Sequence, residues 1–245
     1  MNQFRNLIFS DPIEFQITRP SSCPYLDGRT EQRLATDLSR HPQKHDVLAK
    51  AGFRRVENWV YKPVCKGCQE CLPIRVAAGN GKDGALKLSR NQKRVLARNN
   101  DLERVILPNF SRDDHYEMFR NYLSSRHADG QMADMDEDSY EAMITSSPID
   151  TVLVEYRAKG RLICAILVDL QQDGLSAVYS FFDPAETHRS PGTFMVLDCA
   201  VLAYEMGLSY LYLGYYIAAS QKMSYKARFS PAEVLVAGRW TQLTI

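Results

Sequence analysis

The sequence predicts a chain of mixed α/β (α+β) class in two parts, a smaller N-terminal cysteine-containing domain over 1–100 and a mixed transferase-like domain over 101–245. Three observations predict it. Three of the six cysteines crowd into CKGCQEC at 65–71. Beyond residue 101 the apolar periodicity reads helix, helix, strand, strand, strand, helix, strand. A basic Pro-Gly turn, HRSPGT at 188–193, stands between the third of those strands and the third helix.

Length and charge bound the rest. The 245 residues suffice for one large or two modest domains. Thirty basic residues against 29 acidic give a net charge of +1, so any nucleic-acid contact must come from a local patch. No apolar run reaches membrane length and the N-terminus lacks a secretory pattern, so a cytoplasmic location with no membrane partner is expected. Clustered cysteines fit reduced thiols or a metal site in that compartment better than a disulfide framework.

In order, Ile13–Ile17 alternates as a strand ended by Arg19-Pro20, and Cys23-Pro24-Tyr25-Leu26-Asp27-Gly28-Arg29 is a turn carrying a thiol, an aromatic and a guanidinium. Pro42–Ala51 reads as a short helix stopped by Gly52, and Phe53–Tyr61 as one strand with Arg54 and Arg55 at its start. Two-residue gaps let Cys65, Cys68 and Cys71 turn toward one metal. With Cys23 they make four thiolates, enough for a structural zinc or an iron–sulfur cluster. Four free cysteines with no metal is the alternative. Leu72–Val76 is a strand with one arginine. Ser89 caps a helix bearing Arg90, Lys93, Arg94 and Arg98, either a solvated face or a docking face for RNA phosphates.

Residues 99–101 mark the expected boundary. Ser111–Ser125 and Asp136–Ile144 read as helices, then Val152–Tyr156, Leu162–Leu170 and Leu175–Phe182 as strands joined by Lys159-Gly160 and Asp173-Gly174 turns. The basic turn follows, with Ser190 or Thr193 as cap. Phe194, Leu197, Val201 and Tyr204 then recur at helical spacing until Gly207, and Leu211–Leu213 returns as a strand. A basic turn at a helix N-terminus suits a phosphate. An ordinary strand–helix–strand connection has the same composition. This succession is the acyltransferase architecture of GNAT type, an analogy of fold that leaves the donor open.

The strings CPYLDGR (23–29), GFRR (52–55), YKPVCKGCQECLPIR (61–75), SRNQKR (89–94), RHADGQM (126–132), FFDP (181–184), RSPGTF (189–194), YLYLGYYI (210–217) and KMSYK (222–226) together resemble the bacterial aspartate/glutamate leucyltransferases, relatives of eukaryotic arginyl-tRNA–protein transferases. The resemblance spans nearly the whole chain. It implies transfer of leucine from leucyl-tRNA to the α-amine of proteins beginning with Asp or Glu, marking them for degradation through the bacterial N-degron pathway. It also implies the two-domain split and the cysteine-held metal or cluster. The short bacterial form favours leucine over arginine as the transferred residue.

Aminolysis of an activated ester needs no covalent enzyme intermediate, and no cofactor is required for the chemistry. A free α-amine with a pKa of about 8 is already partly neutral near pH 7, so positioning supplies much of the acceleration. The acidic acceptor side chain calls for a guanidinium, with Arg75, Arg126 and Arg29 as candidates. The tRNA 3′ end calls for a cradle at Arg189, Ser190, Gly192 and Thr193, with Lys222, Tyr225 and Lys226 at the same mouth. Tyr215 or Tyr216 is expected to stack on the terminal adenine, and Arg90, Lys93 and Arg94 to meet tRNA phosphates. His127 or Asp183 is the candidate for moving the proton. Two rivals stand beside this reading. An acetyl-coenzyme A-dependent N-acetyltransferase is weakened by the single glycine of RSPGTF. A non-catalytic, metal-containing RNA-binding module leaves RSPGTF and YLYLGYYI unexplained.

Overall fold

The computed structural model describes residues 12–126 and 132–244. Two sheets carry the chain. The first is four-stranded and antiparallel, built from β1 (Gln16–Ile17), β4 (Arg33–Asp37), β5 (Arg54–Val56) and β6 (Trp59–Pro63) in the order β1-β4-β6-β5. A small ribbon of β2 (Ser21–Ser22) and β3 (Thr30–Glu31) closes the turn that carries Cys23. The helix α1 (His45–Lys50) lies between β4 and β5. Two expectations change here. The 13–17 strand shortens to Gln16–Ile17, because Ile17 is 64% exposed and finds no core. The single strand over 53–61 is instead a hairpin, in which Val56 pairs with Trp59 and Glu57 turns the chain at φ 50°.

The second sheet holds eight strands. These are β7 (Leu72–Ala77), β8 (Glu103–Pro108), β9 (Thr151–Ala158), β10 (Arg161–Leu170), β11 (Gly174–Phe182), β12 (Tyr210–Tyr216), β13 (Ala232–Val236) and β14 (Arg239–Gln242). Their order is β14-β13-β7-β12-β11-β10-β9-β8. The strand β7 thus sits inside this sheet, between β12 and β13. Its nearly unbroken burial, with Ile74 at 1% and Val76 at 0% exposure, is the pattern of a central strand. The two sheets therefore part at the cysteine run, between β6 and β7, and residues 100–101 lie between β7 and β8 of the larger sheet.

Alternation along β10 dresses both faces of the large sheet. Ala165 and Leu167 face the core of α3 (Asp113–Arg126) and α4 (Glu137–Thr145) around Phe119 and Tyr140. Cys164, Ile166 and Val168 face the larger core, where α5 (Pro191–Glu205) buries Phe194, Leu197 and Ala200. The helix α2 (Arg90–Arg98) packs beside α5, started by a capping box in which Ser89 and Gln92 exchange side-chain bonds to each other's backbone N–H.

The two sheets are fastened by buried charge. Arg55 of β5 forks onto Asp169 of β10, with both side chains 1% exposed and Nη2–Oδ1 at 2.6 Å. Thr151 donates to the same carboxylate, and Tyr215 donates to the Gly52 carbonyl. The sheets thus meet where the strands of the larger one begin to part. Among the described residues no helix is long and apolar enough to cross a membrane.

Candidate active site

The parallel strands β11 and β12 pair only at one end, Gly174–Ser176 against Tyr210–Tyr212. Beyond that point β11 stays with β10, whereas β12 turns away through a bulge at Gly214, where φ is 79°. An open cavity of about 890 Å³ occupies the region. Ala177 and Ser180 of β11, Leu213 of β12 and Val196 of α5 line it on one side. Met223 and Tyr225 close it from α6 (Gln221–Ser224) and from the 3-10 turn Tyr225–Arg228 that follows. Tyr25 reaches in from the Cys23 turn.

Its charge is one-sided. Arg33, Arg54, Arg126, Lys222 and Lys226 line it, and no acidic side chain does among the described residues. Strand alternation aims Arg54 here, while its neighbour Arg55 enters the inter-sheet clamp. Arg54 donates from Nη2 to the Ala177 carbonyl at 2.6 Å and from Nη1 to Ser176 Oγ at 3.2 Å. No carboxylate pairs with it among the described residues. Arg33 bonds Glu31 at 2.5 Å and lies over the Tyr61 ring at 4.7 Å, leaving its buried Nε without a partner. Neither Arg33 nor Arg54 was expected from the sequence as a site residue. The one signal was the doubled arginine at 54–55, ahead of a strand whose faces differ.

The turn before α5 contributes backbone. Ser190 adopts a left-handed conformation, φ 56°, and its carbonyl accepts from Thr193 and Phe194. Pro191 has no N–H, so Gly192 presents the free donor at the helix start. A side chain on Gly192 would meet no protein atom within 4 Å, so packing does not demand a glycine there.

Seven expected residues converge on this cavity: Arg126, Ser190, Gly192, Thr193, Lys222, Tyr225 and Lys226. Others are occupied elsewhere. Arg189 binds Asp101 through both terminal nitrogens, at 2.8 and 3.0 Å, and Glu186 through Nε; it locks the turn and leaves its guanidinium no free face for a phosphate. Arg75 lies 3.6 Å from the Tyr210 ring and 4.4 Å from that of Trp240, bonded to Glu233 and Tyr212, outside the cavity lining. Asp183 caps Ala185 N–H and pairs with Arg161 at 2.6 Å. Tyr215 is buried with its hydroxyl between the Gly52 and Tyr61 carbonyls, and Tyr216 packs on the core. Neither ring is offered to a base. Arg29 is exposed, its carbonyl closing the Cys23 turn. His127 lies outside the described residues. Arg90, Lys93 and Arg94 are exposed on α2, and Asn99, just beyond that helix, donates to the Arg189 carbonyl at the turn.

Cys23, Cys65, Cys68 and Cys71 are all half-buried and lie close enough to sense one another. Burial pushes the Cys71 thiol up to about 12, reinforced by Cys65, Cys23, Cys68 and Glu31. As arranged, however, no group of three or more Cys, His, Asp or Glu among the described residues forms a shell that would hold a metal ion. The thiols converge without composing a ligand set, and no step below runs through a metal.

Residues 21–94 match the family described as arginine-tRNA-protein transferase, N terminus, and residues 114–236 its C terminus. Similar curated proteins are aspartate/glutamate leucyltransferases. That of Gluconacetobacter diazotrophicus is 43% identical over 95% of this chain and 88% of its own length. That of Ruegeria sp. TM1040 is 44% identical over 94% and 84%, and that of Caulobacter vibrioides 42% over 95% and 84%. A solved C-terminal domain described as that of a lysylphosphatidylglycerol synthetase, from Agrobacterium fabrum, matches at a TM-score of 0.44 and 14% identity over 72% of this chain and 52% of that one, a likeness too loose to carry an argument. With both family regions matched in order and the relatives matched nearly end to end, the chain belongs to the arginine-tRNA-protein transferase family, among its aspartate/glutamate leucyltransferases.

Proposed function

We propose that the chain moves leucine from leucyl-tRNA to the N-terminal α-amine of proteins that begin with Asp or Glu, creating the destabilising N-terminal leucine of the bacterial N-degron pathway. The observation that carries this is the charge of the cavity: five basic side chains and, among the described residues, none acidic, beside apolar wall from Ile166, Val196 and Leu213. An arginyl group brought into such a cavity is repelled by the five cations, whereas a leucyl group meets apolar surface. Both substrates' anionic parts, the terminal phosphates and the acceptor carboxylate, find cations. Charged tRNA as substrate sets the compartment as the cytoplasm.

In this reading Gly192 and the exposed Lys222 hold the tRNA 3′ end, with Arg90, Lys93 and Arg94 on the tRNA body. Arg54, oriented by two hydrogen bonds and without a carboxylate partner among the described residues, receives the acceptor's acidic side chain, with Arg126 at the rim. The neutral α-amine attacks the ester carbonyl carbon, the amide bond forms, and the ribose oxygen leaves with a proton. Incubation with radiolabelled leucyl-tRNA or arginyl-tRNA and peptides beginning with Asp, Glu, Lys or Ala tests it. Leucine on the acidic peptides alone is expected. Arginine transfer overturns the donor, and label on Ala or Lys peptides overturns the acceptor.

A further inference from the structure

We propose that Lys226 carries the proton of this transfer, taking it from the attacking α-amine and handing it to the departing ribose oxygen; the proposal rests on the leucyl-transfer reading above. The lysine is only 8% exposed, yet it lines the cavity. Its Nζ donates to the Tyr215 carbonyl at 2.7 Å and contacts Met223 Sδ at 3.6 Å. Both partners accept, so two N–H positions are taken whether the group is ammonium or amine. The third position is the one that changes, a hydrogen in one form and a lone pair in the other. The nitrogen thus stays in place through a cycle of protonation.

No other described residue of the lining suits the task. The guanidinium groups of Arg33, Arg54 and Arg126 are donors only, with no acceptor site, and Lys222 is exposed to solvent. The lining includes no histidine and no carboxylate among the described residues. Burial raises the hydroxyls of Tyr122, Tyr179 and Tyr225, which remain protonated at neutral pH. Around Lys226 stand Arg54 from β5, Cys71 ahead of β7, and the Tyr225 ring at 5.9 Å, with no carboxylate paired to Nζ among the described residues. Burial, then the charge of Arg54, lower its ammonium to about 7 against a small opposing effect of Cys71. Both forms are then populated at neutral pH, as an efficient acid–base group requires.

The step balances. A neutral α-amine attacks the ester carbonyl, and in the tetrahedral intermediate its nitrogen carries one proton too many. The Lys226 amine accepts that proton. The carbon–oxygen bond to the ribose then breaks, and the Lys226 ammonium returns the proton to the leaving oxygen, restoring the amine.

The test is kcat/KM for leucine transfer to an Asp-starting peptide between pH 5.5 and 8, with wild type, Lys226→Arg and Lys226→Met, alongside the Kd for leucyl-tRNA. In wild type two ionisations must be neutral, so log kcat/KM is expected to rise with a slope of two below pH 7. One break stays near 7 for every peptide, and the other follows the peptide's own α-amine. Both variants are expected to lose about 10²–10⁴-fold in rate with leucyl-tRNA affinity within threefold of wild type, and Lys226→Arg to keep only the peptide's break. A Lys226→Arg rate within threefold of wild type overturns the proposal. So does a wild-type profile with only the break that follows the peptide, a result that needs no variant to fold. Absence of leucine transfer by wild type would instead reject the underlying reading.

Discussion

Gly214 and Arg54 occupy one space between them: a methyl group on Gly214 would stand 3.0 Å from both Cζ and Nε of Arg54. The glycine also adopts φ 79°, a conformation that costs other residues about 1–2 kcal/mol. The bulge that turns β12 away from β11 is therefore also what lets the guanidinium reach the Ala177 carbonyl. Gly214→Ala is expected to lower unfolding free energy by about 1–2 kcal/mol and to raise KM for Asp-starting peptides. Urea denaturation and steady-state kinetics check the two effects separately, and an unchanged KM would detach Arg54 from acceptor binding.

The Arg55–Asp169 clamp predicts a stability effect without a specificity effect. Asp169→Asn leaves a guanidinium buried without its counter-ion and is expected to cost about 3–5 kcal/mol. The readout is the urea midpoint. The preference for Asp over Ala peptides should persist in whatever protein remains folded.

His115 fixes a pH dependence. Its Nδ1 accepts the Arg112 backbone N–H at 3.0 Å, so the proton sits on Nε2 and is donated to Glu155. Burial holds His115, and likewise His45, below the ordinary histidine value of about 6.5 in the folded state. The unfolded chain therefore binds more protons as acid is added. The stability these groups contribute is complete above about pH 6.5 and is lost as pH falls through their folded values. Urea midpoints measured from pH 7.5 down to 5.5 should decline steadily, and less so in His45→Gln. A midpoint that rises over this range would contradict the neutral assignment.

The α2 face predicts a salt effect. Neutralising Arg90, Lys93 and Arg94 together, as glutamines, should weaken leucyl-tRNA binding and flatten its dependence on log salt by roughly one unit for each phosphate no longer neutralised. Peptide KM should be unmoved. An unaltered salt slope would make that face merely solvated.

Local signals in the sequence carried much of this fold. Ser89 as a cap and the 3.6-residue spacing made α2, α3 and α5 legible. The β5–β6 hairpin was hidden because its turn, Glu57-Asn58, contains no glycine to announce a positive φ. The position of β7 inside the large sheet rests on pairing with β12 and β13, more than 100 residues away in sequence, which no local pattern reports. The same distance misled the choice of arginine. Arg75 looked free until Glu233, 158 residues on, neutralised it. Arg54 looked like half of an ordinary basic pair, and only the splay of β11 and β12 makes a cavity in front of it.

One measurement tests the central claim, that acidic N-termini are chosen by Arg54, which among the described residues has no carboxylate partner and shares its cavity with none: kcat/KM for Asp- and Ala-starting peptides in wild type and in Arg54→Met, at saturating leucyl-tRNA. The wild type should prefer Asp by about 100-fold or more, the worth of a desolvated charge-assisted pair. Arg54→Met should bring the two rates within about threefold by slowing the Asp peptide, with leucyl-tRNA affinity retained. An Asp preference that survives Arg54→Met in folded protein would contradict the account.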